Sequence, residues 1–519
     1  MSEPWLPSAH GSERGGLQGR LARGLSWTVI QSWGVQGITF LVFVVLARLL
    51  APSDFGLVAL AAVFVAFAQL VVDQGLGDAL IHRAEVTRRQ IDTAFWASMA
   101  TGALLTAAMV LLAGPISMLV REPRLEPMLR VLSITFLLAA LSSIQVALLR
   151  RELKFRSLAI RALIGTVGGG AIGIAMAFLG FGAWSLIGQQ IASAALSLVA
   201  LWGVSPWRPS WQWSREDLGQ LFSFGVHVMA SDVLAFLSRN VDNLLIGTFL
   251  GTHPLGLYAV GYRILRVTQS LLVTVARRIT FPAFARLQHD PARMTRAYFR
   301  VSRTGALVIL PAYIALAIVA PELTVALVGT RWAESGPVAA LLFLIGPVLT
   351  LQAFSGAFLN AAGRPDVVFR FSLITTVVNV VGFAIAVRFG ILAVAGAFVL
   401  RGYLLLPLIL YWTRLYVGVS VRQYLAQLRW ISVATFLMAI VMLAVKLGVA
   451  GQAGPALLVA AELVAGAATF IVAMWFMERS QLLEAMELAR QVLPGARGAR
   501  RGRPDAVLAG PDGGPGPAQ

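Results

Sequence analysis

Apolar stretches long enough to cross a bilayer recur along this sequence from residue 25 to residue 477, with short polar breaks between them. A spanning helix needs about 20 largely apolar residues. Fourteen such stretches lie near 25–48, 55–80, 92–113, 129–149, 158–180, 183–203, 218–250, 255–284, 304–328, 337–361, 371–388, 391–412, 429–448 and 455–477. Breaks as short as Gly180-Phe181-Gly182 predict antiparallel hairpins. A barrel is excluded, because its strands would alternate in runs of about ten. The expected fold is an all-α polytopic membrane protein of fourteen transmembrane helices, with 218–250 and 255–284 the most heavily charged.

Composition removes the soluble alternatives. The chain is 58% hydrophobic and 13% charged, with mean hydropathy +0.78. A soluble domain is about half apolar and about a quarter charged, so too little polar surface remains here to cover several soluble cores. Cysteine is absent, and His10, His82, His227, His253 and His289 are scattered. No disulfide, thiolate nucleophile or metal site is expected. The sequence has no Walker motif, HExxH or GxSxG, and its internal loops are too short for a catalytic domain. The reading is a protein that is not an enzyme and has no catalytic residues or cofactor. Gly165, Gly168, Gly169, Gly170 and Gly173 follow no strand, so they read as a close-packing helix face rather than a phosphate loop.

The net charge of +18 would suggest a nucleic-acid binder in a soluble chain. Here the basic residues follow the membrane instead. With a cytoplasmic N-terminus, the six internal cytoplasmic loops hold nineteen basic residues, and the opposite loops and their edges hold six. The two tails add nine inside, so 28 of 42 act as topology determinants. No nucleic-acid partner is needed. The segment Met1–Arg23 lacks an early apolar run and a cleavage site, and so does not read as a cleaved signal peptide. The Pro/Gly/Arg-rich tail from about 494 reads as disordered.

The chain also carries an internal duplication. Leu50–Leu60 (LAPSDFGLVAL) answers Leu250–Val260 (LGTHPLGLYAV) at offset 200. At offset 210, Leu163-Ile164-x-Thr166-Val167 answers Leu373-Ile374-x-Thr376-Val377, and Gly180 answers Gly390. These matches predict two six-helix lobes related by an axis along the membrane normal, plus two C-terminal helices. The expected boundaries are an N-terminal cytoplasmic segment 1–24, a first lobe 25–203, a cytoplasmic linker 204–217 and a second lobe 218–412. A linker with two further helices follows over 413–477, then a cytoplasmic tail 478–519.

Charges inside spans are expensive, from about 2.5 kcal/mol upward at mid-bilayer. Span 7 holds Asp232, Arg239, Asp242 and Asn243, and span 8 holds Arg263, Arg266, Arg277 and Arg278. Arg401 lies in span 12. At 1.5 Å per residue, Arg263 and Arg266 lie roughly 12–16 Å from the outer surface, and Arg239, Asp242 and Arg401 fall near the same depth. Two readings fit. Internal ion pairs, Arg239 with Asp242 or Asp232, would tie helices together. Alternatively, arginines in excess of carboxylates would await an anion or water, as a diphosphate in a wet cleft would provide. In the first lobe, Asp73 is the deepest acid of span 2, a candidate proton or sodium carrier, whereas Asp78 reads as interfacial. Glu462, isolated in span 14, reads as a packing or oligomer feature. Arg130 and Arg161, at span edges, read as snorkelling.

Six segments carry a resemblance: ARLLAPSDFGLVALA (Ala47–Ala61), VDQGLGDALIHR (Val72–Arg83), LLRRELKFR (Leu148–Arg156), VDNLLIGTFLGTHPLGLYAVGYRILR (Val241–Arg266), FPAFARLQHD (Phe281–Asp290) and LNAAGRPD (Leu359–Asp366). Together they make the chain resemble the Wzx-like polysaccharide transporters of the MOP (multidrug/oligosaccharidyl-lipid/polysaccharide) flippase superfamily, in the colanic-acid-exporter branch. The resemblance covers most of the chain through about residue 412. It implies a flippase in a bacterial inner membrane, with both termini cytoplasmic. Such a protein moves undecaprenyl-diphosphate-linked oligosaccharide to the periplasmic leaflet by alternating access around a cationic cavity. On that reading Arg239, Arg263, Arg266 and Arg401 bind substrate, with Arg48 contributing from the first lobe. Asp232, Asp242 and Asp73 are the candidates for proton or sodium coupling. Implied partners are the lipid-linked substrate, the bilayer, and a polysaccharide polymerase with its chain-length regulator. The alternatives are a MATE-like multidrug exporter of the same fold, which would prefer acidic residues in its cavity, and a membrane glycosyltransferase or polymerase.

Overall fold

A computed structural model describes residues 33–73, 77, 80–81, 86–286, 290–418, 421–449 and 454–492. The side chains at 71–73, 220–235, 237, 271–286, 291, 416–417, 421 and 484–492 fall outside that description. The expected segment 1–24 and the tail from about 494 lie outside the described residues, as do the side chains of Asp73, Asp78, Asp232, Arg277 and Arg278.

The described chain is helical and contains no strand. The first lobe comprises α1 (Trp33–Leu49), α2 (Pro52–Asp73), α3 (Arg88–Leu119), α4 (Leu125–Leu132), α5 (Ile134–Arg151), α6 (Phe155–Phe178) and α7 (Trp184–Val204). The second comprises α8 (Arg215–Phe249), α9 (Thr252–Arg286), α10 (Pro291–Val328), α11 (Ser335–Leu344), α12 (Gly346–Ala361), α13 (Pro365–Ala386) and α14 (Ile391–Val417). The last two helices, α15 (Val421–Val449) and α16 (Pro455–Val492), pack on α10. Among the described residues, counting α4 with α5 and α11 with α12 as single rods, eleven helices are long and apolar enough to cross a membrane. The described part of α1 is short for a span, and the side chains of much of α8 and α9 fall outside the described residues.

Two spans expected to be continuous are broken in mid-course, at Ser133 and at Ile345. The physical causes differ. At the first break, Ser133 Oγ donates to the Arg130 carbonyl and Thr135 Oγ1 to the Leu132 carbonyl, both at 2.6 Å, so hydroxyls satisfy the carbonyls around the turn. At the second, Pro347 near the start of α12 has no N–H to continue the ladder. α10 begins at Pro291, well before the expected 304, and α14 continues to Val417, past the expected lobe end at 412.

The duplication is visible in the backbone. α6 and α13 start 210 residues apart, as do α4 and α11. Gly180 and Gly390 take left-handed φ values of 83° and 94°, and Leu153 and Gly363 take 56° and 74°, again at offset 210. Leu153 accepts a conformation that costs a side-chain-bearing residue about 1 kcal/mol or more, where its counterpart uses glycine.

The lobes meet through the same repeat. α2 and α9 cross at their N-terminal turns, where Gly56 faces Thr252 and Gly256 faces Pro52. A Cβ on Gly56 would lie 1.7 Å from the Thr252 carbonyl oxygen, and one on Gly256 would lie 1.8 Å from that of Pro52. Each contact is the image of the other under the offset of 200. Beside the crossing, the Arg48 guanidinium donates to the carbonyls of Leu327 and Ala326 in the last turn of α10, both at 2.8 Å. A cation there also complements the negative end of the helix dipole. The buried Trp332 donates from its indole to the Ala47 carbonyl (2.7 Å) and lies edge-on to Phe55. The lobes are therefore locked at the end of the molecule carrying the α1–α2 and α8–α9 turns.

The linker is held as well. Ser210 binds the Asp92 carboxylate, the Trp96 indole donates to the Ser210 carbonyl (2.9 Å), and Trp211 stacks on Trp96 with centroids 4.1 Å apart. Ser214 caps α8 by accepting from the Asp217 N–H, while Arg89 pairs with Asp217 at 2.9 Å. Residues 205–217 thus strap the start of α8 to the start of α3. In α6 the glycine face packs as expected, since a Cβ on Gly169 would fall 2.6 Å from Ser193 Cβ of α7.

Overpacking a tight contact costs about 1–3 kcal/mol when neighbours can adjust, and a backbone carbonyl adjusts poorly. Gly56→Ala and Gly256→Ala are each expected to lower the melting temperature of the detergent-purified protein by several degrees. Gly396→Ala, whose Cβ would meet nothing within 4 Å, is expected to leave it unchanged or raise it.

Candidate functional site

The charged cluster lies in the second lobe, among α8, α9 and α14. At its base the buried Asp242 accepts a hydrogen bond from the Tyr258 hydroxyl (2.8 Å) and another from the Asn243 N–H (2.8 Å). Tyr258 is fully buried and stacks on Tyr262 at 6.0 Å, and Tyr262 in turn meets Phe398 of α14 at 6.1 Å. Arg239, Asp242, Arg266 and Arg401 are all close enough to Tyr262 to act on it electrostatically.

Aromatic faces take the place of carboxylates as partners. The Arg266 guanidinium lies 5.2 Å from the Tyr262 ring centre, and that of Arg401 lies 4.7 Å from Phe398. Arg263 projects toward the first lobe, 4.5 Å from the ring centre of Phe43 in α1. Such contacts contribute about 0.5–2 kcal/mol each, more when desolvated, and do not neutralise the charge. Among the described residues no carboxylate lies within ion-pair distance of Arg263, Arg266 or Arg401, and the buried Arg401 Nε has no hydrogen-bond partner. Arg239, Arg266 and Arg401 therefore gather near one carboxylate that already holds a tyrosine, with Arg263 beside Arg266 and turned to the first lobe. Arg239 and Arg266 are exposed, Arg263 is half-buried and Arg401 is 5% exposed.

Arg48 is placed elsewhere, on the carbonyls ending α10, where it joins the lobes. The structure does not bring it into the cluster. Sequence reasoning missed Tyr258, Tyr262, Phe43 and Phe398. A signal for the tyrosines was present in the duplication. At offset 200 the first-lobe counterparts of Tyr258, Tyr262, Arg263 and Arg266 are Val58, Ala62, Val63 and Ala66, and Asp242 answers Val42. The two lobes share a backbone plan, and the polar site was built into one of them.

The fold and the cluster define a polytopic helical membrane protein with an arginine-rich centre in its second lobe. The chain belongs to the polysaccharide biosynthesis protein family, whose model matches residues 45–337. It is 28% identical to the succinoglycan biosynthesis transport protein ExoT of Rhizobium meliloti (strain 1021), over 69% of this chain and 72% of that protein. It is 25% identical to the lipopolysaccharide biosynthesis protein WzxC of Escherichia coli (strain K12), over 69% of this chain and 74% of that one. The fold is similar to that of the lipid II flippase MurJ in its inward closed conformation, with TM-score 0.73 and 12% identity over 88% of this chain and 100% of the other. An inward-facing MATE family transporter superposes with TM-score 0.56 at 14% identity, over 76% of this chain and 98% of that one.

Removing the donor from a buried carboxylate costs about 1–3 kcal/mol. Tyr258→Phe is expected to lower thermal stability in detergent by that order, and Asp242→Asn, which keeps a partner for the hydroxyl, by less. Equal melting temperatures for Tyr258→Phe and the parent would show that Asp242 does not depend on this bond.

Proposed function

We propose that this protein is a flippase that carries undecaprenyl-diphosphate-linked oligosaccharide repeat units from the cytoplasmic to the periplasmic leaflet, for polysaccharide export. The observation that carries the reading is the gathering of Arg239, Arg266 and Arg401 near a single described carboxylate, with Arg263 beside Arg266. Guanidiniums at membrane depth with no carboxylate at ion-pair distance among the described residues, here Arg263, Arg266 and Arg401, are stabilised by an anion or by water, and a diphosphate offers forked oxygens that match them. The exposure of Arg239 and Arg266 suits a wet cleft between the lobes. Transport in succinoglycan biosynthesis by ExoT, lipopolysaccharide biosynthesis by WzxC and the flipping of lipid II by MurJ support the same substrate class.

On this reading the protein lies in the bacterial inner membrane with both termini cytoplasmic, as the arginine asymmetry favours. The domain boundaries are those of the two lobes and the pair of C-terminal helices. The glycine crossing then faces the periplasm, and the arrangement corresponds to an outwardly closed stage of alternating access. Arg48 acts by closing that seam and meets substrate only as the seam opens. Asp242, with Asp232 and Asp73, is the candidate for proton or sodium coupling. A polysaccharide polymerase and its chain-length regulator are the partners this role calls for. A MATE-like export of cationic drugs is disfavoured, since a cation entering the cluster would meet like charge.

Charge reversal tests the substrate. Arg263→Glu combined with Arg266→Glu is expected to reduce polysaccharide export by about tenfold or more, since each like-charge contact with a phosphate costs several kcal/mol. Lipid-linked repeat units should accumulate in the cytoplasmic leaflet, with membrane protein level unchanged. Intact export at normal protein level would sink the proposal.

A further inference from the structure

A buried acid that the transport reading does not use lies in α16, which packs against α15 and α10. Val459, Glu462, Gly466 and Phe470 follow one another at helical spacing on one face of α16. Val459 and Phe470 belong to an apolar cluster with Met438 and Met442 of α15 and Val319 of α10. Gly466 faces Met442, since a Cβ on it would lie 2.6 Å from that sulfur. The two helices run antiparallel. One turn back along α16 and one turn on along α15 therefore set Glu462 level with Lys446.

Glu462 is 0% exposed, and neither carboxyl oxygen has a hydrogen-bond partner among the described residues. Two charged groups act on it, Lys446 of α15 and Glu322 of α10. These are already joined to each other. Lys446 Nζ donates to Glu322 Oε2 at 2.8 Å and to the Ile318 carbonyl at 2.9 Å. An ammonium has three N–H donors, so these bonds leave one. The other described charges of the three helices come no nearer along the chain than Arg303, Arg429 and Glu478, each at least 16 residues away, or about 24 Å of helix. Two carboxyls thus share one ammonium in apolar packing. Ionising both would leave an uncompensated charge there, and a buried carboxyl without a partner takes up a proton instead.

We propose that Glu462, Lys446 and Glu322 form a proton-binding site, in which the two carboxyls hold one proton between them and Lys446 selects its place. With Lys446 on Glu322, as in this structure, the proton is on Glu462. When the ammonium turns to Glu462, the O–H bond of that carboxyl breaks and its proton leaves to water. Glu322 takes a proton from water in exchange, so the set stays neutral and no electron moves. The route is short. Lys446 lies three residues before the end of α15 and Glu462 seven after the start of α16, about 5 Å and 10 Å along their axes. Glu322 lies one turn before Ala326, whose carbonyl holds Arg48, so the site stands beside the seam between the lobes. It is separate from Asp242, Asp232 and Asp73, and does not depend on the flippase reading. It ties the docking of the two C-terminal helices on α10 to a protonation state.

The test is infrared spectroscopy of the full chain in detergent at neutral pH, with isotope-labelled glutamate. A protonated carboxyl has a carbonyl stretch distinct from that of a carboxylate, and the label separates glutamates from aspartates. The parent is expected to show the band of one protonated glutamic acid, and Glu462→Gln to lose it. Glu462→Asp, which keeps a carboxyl but not the label, should lose the labelled band as well, and serves if the glutamine variant does not fold. Glu322→Gln, which releases Lys446 to Glu462, is expected to lower the band about tenfold, the scale on which a charge-assisted hydrogen bond shifts an equilibrium. A parent with no protonated glutamate band overturns the proposal. So does a band that survives both Glu462→Gln and Glu462→Asp. A band undiminished in Glu322→Gln overturns the sharing of Lys446.

Discussion

The rest of the structure depends on one contact, the crossing of α2 and α9 at Gly56 and Gly256. No other residue type permits it, because each glycine hydrogen that a Cβ would replace points at a carbonyl of the opposite helix. The crossing brings the two N-terminal turns within backbone reach and so sets how far apart the lobes stand at that end. Phe43, Phe55 and Trp332 fill the space beside it, with Phe43–Phe55 and Phe55–Trp332 centroids 5.9 Å and 5.2 Å apart. Arg263 lies over the same Phe43. The seam and the charged cluster are therefore mechanically adjacent, connected through one aromatic ring.

The duplication explains both the symmetry of the scaffold and the asymmetry of the site. Turns, breaks and left-handed residues repeat between the lobes because they are conditions of the fold. The cluster does not repeat, because burying charge is costly and one lobe suffices to hold it. Asp242 answers Val42, and Arg266 answers Ala66. The first lobe contributes apolar surface instead, Phe43 under Arg263 and Phe67 against Phe236 at 5.5 Å.

Most of the fold was legible because the bilayer imposes one length on every span, and the helices fall where the apolar stretches lie. The broken spans were not legible, since the breaks at Ser133 and Ile345 interrupt hydrogen bonding without interrupting hydrophobicity. The grouping of Arg239, Asp242, Arg266 and Arg401 followed from depth alone. Direction around a helix axis was harder to judge. That Arg263 turns toward Phe43 while Arg266 turns toward Tyr262 depends on how α9 is rotated by its glycine crossing. Arg48 shows the limit of reading charge by position. An arginine near a helix end has a carbonyl terminus within reach as readily as a ligand, and only the fold shows that α10 ends beside it.

The strap over residues 205–217 has a mechanical consequence. Its bonds to Asp92, Thr93 and Trp96 give the start of α8 to the first lobe. Farther along, Ser238 of the same helix is bonded by Asn379 of α13, in the second lobe. α8 is thus a torsion bar held by the first lobe at its start and by the second at Ser238, with Arg239 and Asp242 just beyond that second clamp. Any swing of one lobe against the other must twist or bend the stretch between, and the twist is delivered where the guanidiniums stand.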